Sequence, residues 1–434
     1  MTDRVVVSQL GARMHYAVPR ILDAAGELER FYSDICADQG WPSWLRCLPA
    51  SSLPAAVRRL RERVIEGVAP QRVTSFPLFG LRLAKRRLAA RTPGEQIATA
   101  LWAAPRFSRL VIRHGFGGAA GFYGFSGESL EQLLAAREAG LWTVVEQIIA
   151  PYGLLGQLLK EEEATFPGWC LAQENDAPAR AFGERERAEW DAADLVVCGS
   201  EFVSDAVTKA SNGSARCLVV PYGVDRRFAL PQKAPYHGPL RILTIGASGL
   251  RKGTPYVLEA ARQLAGKAIF RLVGPCGVPD AVRSALSEAL QLFDAVPRAG
   301  IPAHYAWADV FLLPSLCEGS ATVVYEALTA GLPVVTTANS GSVVRDGLEG
   351  FIVPIRSSEA IVSAIERLDG DRTLLAELSA NAARRAAGFD VTSYGRRLRM
   401  ALRHAHNLHR DASPAPLRRP GGVIATGGPL RGEA

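Results

Sequence analysis

The fold is decided by two consecutive stretches, CEGSATVVYEAL at residues 317–328 and TAGLPVVTT at residues 329–337. The apolar run before them, DVFLLPS at 309–315, is typical of a strand that is buried on both faces of a parallel sheet. Together they predict a strand, a turn, a helix of about ten residues and a second strand. Gly331 ends the helix, and Pro333 prevents its continuation.

The turn between this strand and this helix is suited to close approach of a ligand. Gly319 has no side chain, and Ser320 and Ala321 are small. The first amides of a helix have no partner within it and carry positive partial charge, which favours a phosphate. Glu318 and Glu326 lie eight residues apart, so they cannot form one carboxylate pair but can face one cleft from two heights. The alternative is an ordinary pair of solvated glutamates.

This pattern resembles the Glu-x7-Glu motif of the retaining glycosyltransferases of family 4. The resemblance implies an α/β chain with the GT-B fold, in which two Rossmann-like, doubly wound domains face each other across a cleft. It implies that Glu326 holds the nucleotide ribose and that Glu318, a catalytic candidate, contacts the donor sugar. The donor diphosphate is expected on the turn and first helical residues, namely Gly319, Ser320, Ala321 and Thr322. The family usually has Phe-Gly where this chain has Ser320-Ala321, which leaves the donor preference open.

A second block that resembles the family begins after the predicted linker. Its Lys-Gly pair starts at Lys252, the second catalytic candidate, which the resemblance implies neutralises the charge that builds on the leaving nucleotide. Gly246 ends the preceding strand and is a donor-binding candidate. The family commonly has an arginine at the position of Ala247, so Arg251 is a candidate to supply that charge. Arg298 lies in the loop where the family packs its nucleotide base.

The N-terminal half alternates between strand and helix patterns, which indicates an α/β layer domain. In the family this half carries the acceptor site, and its first loop often faces the cleft. Gly11 and Arg13 are therefore candidates for acceptor contacts, whereas His15 is interpreted as a satisfied histidine on a helix surface. We predict a strand at 109–112, and His114 directly after it is a third acceptor candidate.

The whole chain divides into five predicted parts. These are an acceptor-binding Rossmann-like domain at 1–225, a linker at 226–240, a nucleotide-sugar-binding Rossmann-like domain at 241–392, a helix at 393–410 that crosses back to the first domain, and a disordered tail at 411–434. The tail is rich in proline and glycine and poor in apolar residues. Asp369-Gly370-Asp371 has the spacing of a metal-binding motif, but it follows a predicted helix and is interpreted as a turn with a helix N-cap.

Composition favours a cytoplasmic enzyme. The 434 residues are 48% apolar, which is enough for two sizeable cores. Seven cysteines without a Cys-x-x-Cys pair indicate a reducing compartment and argue against disulfides or a zinc site. We expect no signal peptide, because the first 20 residues lack an apolar core, and no membrane-spanning helix, because no apolar run is long enough.

The net charge of +7 is concentrated in one window. Residues 57–91 hold ten Lys or Arg and only two Glu, interleaved with apolar residues at helical spacing. Such a stretch predicts contact with an anionic membrane surface, as for a peripheral protein on its cytoplasmic face. A helix that packs on its own domain with a solvated arginine face is the alternative. Nucleic acid is not an expected partner, because no recognition motif is present.

The sequence therefore predicts a retaining hexosyltransferase that moves a sugar from a nucleotide-diphosphate sugar to an acceptor hydroxyl, without a metal or other cofactor. The acceptor is expected to be lipid-linked or a saccharide, as in the assembly of a surface polysaccharide or glycolipid. Two rivals are a nucleotide-sugar epimerase and a non-catalytic scaffold that binds nucleotide sugar. The epimerase needs several carboxylates in the cleft, and the N-terminal half offers no matching set. Ala247 and Ser320-Ala321 are the features that favour the scaffold.

Overall fold

The structure is a computed structural model, and it describes residues 4–49, 53–170, 177–225 and 236–412. The predicted linker and the predicted disordered tail lie largely outside these residues. The described residues form two parallel sheets, each covered by helices, so the predicted class of two Rossmann-like domains is confirmed. Their cores are separate, apart from a few elements that pack across the interface.

The first domain is built on a parallel sheet whose described strands follow the order β3-β2-β1-β4-β5-β6-β7. Its strands are β1 Val5–Gln9, β2 Leu28–Ser33, β3 Val73–Ser75, β4 Gly121–Phe125, β5 Trp142–Gln147, β6 Leu195–Cys198 and β7 Cys217–Val219. Its helices are α1 Ala17–Ala24, α2 Ala55–Arg61, α3 Pro77–Ala89, α4 Pro93–His114, α5 Leu130–Glu138, α6 Tyr152–Thr165, α7 Ala177–Ala192 and α8 Glu201–Ala210. The order reverses at β1, which places a crevice beyond the carboxyl ends of β1 and β4.

The second domain is built on a parallel sheet of order β10-β9-β8-β11-β12-β13 in the described residues. Its strands are β8 Leu240–Ile245, β9 Ala268–Val273, β10 Gln291–Phe293, β11 Val310–Leu313, β12 Val334–Thr336 and β13 Gly350–Ile352. Its helices are α9 Thr254–Gln263, α10 Asp280–Ala289, α11 Ile301–Trp307, α12 Thr322–Thr329, α13 Ser358–Gly370 and α14 Arg372–Ala386. The last described helix, α15 Val391–Ala412, packs against α1 and β5 of the first domain.

The strand–turn–helix–strand prediction for the opening stretch is confirmed. The four residues of β11 are buried, and the strand pairs with both β8 and β12. Gly331 has a left-handed φ of 65°, which glycine adopts without a steric penalty, and α12 ends just before it. The turn after Asp369 also behaves as predicted, because the carboxylate of Asp371 accepts hydrogen bonds from the amides of Thr373 and Leu374 at the start of α14.

The predicted strand at 109–112 is wrong, because these residues form the last turns of α4. The Thr92 side chain and Glu95 form a capping box that starts this helix, and its buried residues recur at helical spacing, among them Ala103, Phe107 and Val111. A four-residue apolar run is too short to separate a strand from a buried helix face. His114 therefore ends a helix instead of following a strand.

Candidate active site

A cavity of about 700 Å³ lies between the two domains. The second domain lines it with five residues from α12, α11 and the loop before α11: Arg298, Ala299, Pro302, Thr322 and Glu326. The first domain contributes residues of the loop between β1 and α1, of α1, and of the segment between α2 and β3: Met14, His15, Ala17, Arg20, Glu62, Val64 and Glu66. Three of the residues predicted to bind the donor, Arg298, Thr322 and Glu326, thus face one hollow.

Glu326 is a buried carboxylate with one edge on this cavity. It is 6% exposed and lies in the middle of α12. The Tyr305 hydroxyl donates to its Oε2 at 3.0 Å, and an Arg298 guanidinium nitrogen lies 3.5 Å from its Oε1. Burial raises the pKa of Glu326, while Arg298 and the Tyr305 hydroxyl oppose that rise. A carboxylate fixed in this way is suited to accept hydrogen bonds from vicinal hydroxyls such as those of a ribose.

Lys252, Arg251 and Glu318 form a compact charged cluster. The Lys252 ammonium lies 2.7 Å from Glu318 Oε1, and an Arg251 guanidinium nitrogen lies 2.5 Å from the same oxygen. Arg251 also donates to the Cys317 carbonyl at 3.1 Å. Burial lowers the pKa of Lys252, and the Glu318 charge opposes that change. Among the described residues, this cluster stays outside the lining of the 700 Å³ cavity.

The turn that joins the cluster to α12 packs against the first domain. A Cβ on Gly319 would lie 1.9 Å from the Ile148 carbonyl oxygen, and the Ser200 hydroxyl donates to the Gly319 carbonyl at 2.5 Å. The Ser320 hydroxyl is hydrogen-bonded to that of Tyr325, and Ala321 is buried in the second core. From the sequence, a ligand is expected to approach the backbone at Gly319. In the structure it is the backbone of the first domain, at Ile148, that comes close enough to require glycine there. Thr322 is the residue of this turn that lines the cavity.

Gly246 lies directly against the Lys252 side chain of this cluster. A Cβ at this position would lie 3.0 Å from the Lys252 Cε, and its φ of 150° is one that side chains rarely adopt. The glycine therefore makes room for the lysine stem. Ala247, which stands at the usual arginine position of the resembled family, is exposed.

The three acceptor candidates are not equivalent. Arg13 lines a smaller pocket of about 190 Å³ that shares Met14 and Thr322 with the larger cavity. Gly11 lies in the same loop, but its amide donates to Asp34 Oδ1 at 3.2 Å, and the residue lines neither hollow as described. His114 is exposed, and its ring lies against Tyr32 and Phe76 at the end of α4, away from the lining of the cavity.

Several cavity residues escaped the sequence analysis. His15, interpreted there as a helix-surface histidine, lines the cavity opposite Arg298, and burial followed by the Arg298 charge lowers its pKa. Met14, His15 and Tyr16 all have left-handed backbone angles, with φ of 44°, 50° and 59°. Such angles are costly for residues other than glycine, and they concentrate at functional sites. The position after a strand indicates a cleft loop, but nothing in these residue types signals left-handed angles.

A buried carboxylate, Glu146, lies at the floor of the 190 Å³ pocket. It is the last residue but one of β5, and its two oxygens accept hydrogen bonds from the Tyr123 and Tyr222 hydroxyls. Burial raises the pKa of Glu146, and the two tyrosine hydroxyls oppose that rise. The sequence signal was available, since a Glu in an apolar strand is unusual, but it did not indicate that the residue would face the other domain.

The described residues contain no group of three His, Cys, Asp or Glu side chains arranged to hold a metal ion. None of their helices combines the length and the apolar character needed to cross a membrane.

Comparison with known proteins finds a family match within the second domain. The model of the family described as "Glycosyl transferases group 1" matches residues 239–371, which form most of the second domain. The chain is also similar to the putative colanic acid biosynthesis glycosyltransferase WcaL of Escherichia coli K12, with 32% identity over 200 residues. That match covers 41% of this chain and 49% of the relative, so the chain spans about half the length of the relative.

Solved structures show the same fold over almost the whole chain. Sucrose-phosphate synthase from Thermosynechococcus elongatus superposes with a TM-score of 0.65 at 15% identity, covering 92% of this chain and 98% of that one. Anabaena HepE in complex with UDP superposes with a TM-score of 0.56 at 18% identity, covering 92% and 100%. These identities are low, so the likeness shows the fold alone. Residues 239–371 therefore match the glycosyl transferases group 1 family, and the described chain has the GT-B architecture.

Proposed function

We propose that the protein is a retaining glycosyltransferase that moves a hexose from a nucleotide-diphosphate sugar to an acceptor hydroxyl. The observation that carries the proposal is the cavity in which Glu326, Arg298 and Thr322 of a domain matched by the glycosyl transferases group 1 model face the first domain. The nucleoside is assigned to the Glu326 and Arg298 end. The diphosphate is assigned to the Thr322 end, close to the amides that begin α12.

Departure of the nucleoside diphosphate builds negative charge, which fixed cations stabilise without a metal. Lys252 is the residue proposed for this role, and Glu318 is proposed to orient the sugar hydroxyls. Because these two side chains contact each other, donor binding is proposed to exchange part of this ion pair for contacts with the diphosphate and the sugar. Closure around the donor then excludes water, which otherwise hydrolyses it. In the proposed retaining mechanism the leaving phosphate takes the proton of the acceptor.

The proposal extends to a role in the assembly of a surface polysaccharide or glycolipid in the cytoplasm. It is supported by the relative whose name assigns it to colanic acid biosynthesis, and by a HepE structure that contains UDP. No resident cofactor is proposed, since the nucleotide sugar is a substrate.

Release of nucleoside diphosphate tests the proposal. Wild-type protein is incubated with UDP-glucose, UDP-galactose or GDP-mannose, with and without a bacterial membrane extract as the source of acceptor. We expect acceptor-stimulated release with at least one donor, and a loss of about a hundredfold or more in Lys252→Ala or Glu326→Ala. Glu366→Ala changes an exposed glutamate outside the cavity and is the matched control. No release with any donor contradicts the proposal if all variants remain folded.

One observation favours a second candidate, a non-catalytic protein that binds nucleotide sugar. The Lys252 ammonium is already ion-paired with Glu318, and Ala247 stands where an arginine was expected. The same experiment separates the two candidates, because a binding protein retains nucleotide binding in a thermal-shift assay and releases no diphosphate.

We also propose that the basic window meets an anionic membrane surface. Arg63 and Arg72 are paired with Asp34 and Asp23, so the contact is assigned to α3 of this window and to the groove of about 620 Å³ that α3 forms with α4, a helix outside residues 57–91. Its apolar wall includes Leu78, which is 72% exposed. The arginines that line the groove have no carboxylate partner in the described chain: Arg82, Arg106, Arg109 and Arg113.

Each such residue near an anionic leaflet contributes about 1 kcal/mol. We therefore expect co-sedimentation with phosphatidylglycerol vesicles that weakens with salt and is reduced in the double variant Arg82→Glu/Arg106→Glu. Equal binding to phosphatidylcholine vesicles, or none to either, contradicts the assignment.

A further inference from the structure

In the part of the chain that the structure describes, the three cations of the second domain that were expected to bind the donor each have a carboxylate partner. Arg251 and Lys252 both contact Glu318, and Arg298 lies 3.5 Å from Glu326. Arg251 was the expected replacement for the arginine missing at 247, but its guanidinium is held by Glu318 and by a backbone carbonyl. A diphosphate in this site therefore lacks a cation that is free to bind it.

The first domain supplies a cation of the right kind. Arg13 forms no hydrogen bond or ion pair with any described residue, and its guanidinium lies over the Phe125 ring at 5.9 Å from the centroid. Burial raises the pKa of the carboxylates of Glu128 and Glu146, and the Arg13 charge opposes that rise, yet neither carboxylate is within ion-pair distance of Arg13. Its donor groups are therefore available to a ligand.

The position of Arg13 matches the path of the donor. Arg13 and Thr322 line the 190 Å³ pocket, and Thr322 also lines the larger cavity that holds Glu326. A nucleotide whose ribose lies at Glu326 extends its phosphates past Thr322 toward Arg13. Glu146, on the same pocket, has both oxygens hydrogen-bonded by tyrosines. The phosphate accordingly belongs at the Arg13 and Thr322 end, and the Glu146 end suits a sugar hydroxyl.

The loop that carries Arg13 is braced on both sides. Before it, the Leu10 amide donates to Glu128 at 2.9 Å and the Gly11 amide donates to Asp34. After it, the chain passes through three left-handed residues before α1 begins. A loop fixed in this way holds Arg13, an exposed residue, at the lining of the 190 Å³ pocket.

We propose that Arg13 of the first domain binds the diphosphate of the nucleotide-sugar donor and replaces the arginine that the second domain lacks at position 247. The inference rests on the proposed function and assigns Arg13 to the donor instead of the acceptor. It also means that the complete phosphate site exists only when both domains are together, because one of its cations comes from across the cleft.

Isothermal titration with UDP, GDP and ADP, and with the matching monophosphates and nucleosides, tests this assignment. For the diphosphate that binds wild type, Arg13→Gln is expected to raise Kd about tenfold or more, with a smaller effect of Arg13→Lys and a change below about twofold for the nucleoside. The control is Arg216→Gln, which changes an exposed arginine directly before β7. It is expected to leave all dissociation constants unchanged. Thermal melting confirms that each variant is folded.

Two results overturn the assignment to Arg13. One is an unchanged diphosphate Kd in Arg13→Gln, including the case in which only the apparent KM for the acceptor rises. The other is an equal loss of nucleoside and diphosphate binding, which indicates a general effect on the cleft. A wild-type protein that binds none of the three diphosphates refutes the proposed function itself, so the two failures are distinguishable.

Discussion

The substitution Gly319→Ala probes the contact that holds the two domains together. The new methyl carbon would lie 1.9 Å from the Ile148 carbonyl oxygen, far inside the 3.4 Å at which ordinary contact begins. Because the obstructing atom belongs to the backbone, the domains must move apart, and overpacking of this kind costs about 1–3 kcal/mol. The same movement stretches the hydrogen bond from Ser200 to the Gly319 carbonyl, which adds about 1 kcal/mol. We expect a total loss of about 2–4 kcal/mol.

Urea unfolding measures this loss, and small-angle scattering measures the separation of the domains. The matched control is Gly277→Ala, a glycine of the second domain with nothing within 4 Å of its built Cβ and no restricted φ. It is expected to change stability by less than about 0.5 kcal/mol. If Gly319→Ala is as stable as this control and equally compact, the interpretation of Gly319 as an interdomain contact is refuted.

Three further predictions test the remaining parts of the account. Glu318→Gln leaves both Lys252 and Arg251 without a carboxylate, so it is expected to cost about 3 kcal/mol in urea unfolding, whereas Lys252→Met leaves Glu318 paired with Arg251 and is expected to cost less; the double variant should cost less than the sum, and strict additivity contradicts the pair. Asp371→Ala removes a helix cap and should cost about 1 kcal/mol without loss of sugar transfer, whereas Asp369→Ala should be nearly neutral; lost transfer in Asp371→Ala would restore the metal-motif interpretation. Since burial raises the pKa of Glu326 in the folded state, its stabilising contribution is present at low pH and lost as pH rises through that pKa. The stability of wild type relative to Glu326→Gln should therefore fall as the pH rises above the ordinary glutamate pKa of 4.5, and a rise contradicts the burial argument.

The fold was predictable because the second domain carries its signals locally. The apolar run before Cys317, the small residues of the turn and the Gly-x-Pro after α12 all act within a few residues of one another. The error at 109–112 arose where a four-residue apolar run satisfied both a strand and a helix face. Long-range packing decides between the two, since Phe107 and Val111 belong to the core that includes Val6 of β1 and Phe122 of β4.

The site was predictable only within each domain. Sequence spacing indicated that Glu326 and Thr322 share a helix, and the family resemblance added Arg298. Neither the spacing nor the resemblance indicated that Gly319 would contact Ile148, or that Arg251 would be ion-paired with Glu318. Those contacts depend on how the two domains dock, and no local sequence pattern predicts how they dock. The same reason explains why His15 and Glu146 were missed, since each becomes notable only when the opposite domain is in place.

The most direct measurement of the central claim is a crystal structure of the full chain with the nucleoside diphosphate that binds it most tightly. The account predicts the ribose hydroxyls within about 3 Å of the Glu326 carboxylate, the base beside Arg298, and the phosphates directed past Thr322. A nucleotide bound elsewhere, for instance in the groove between α3 and α4, contradicts the account. So does a ribose turned away from Glu326.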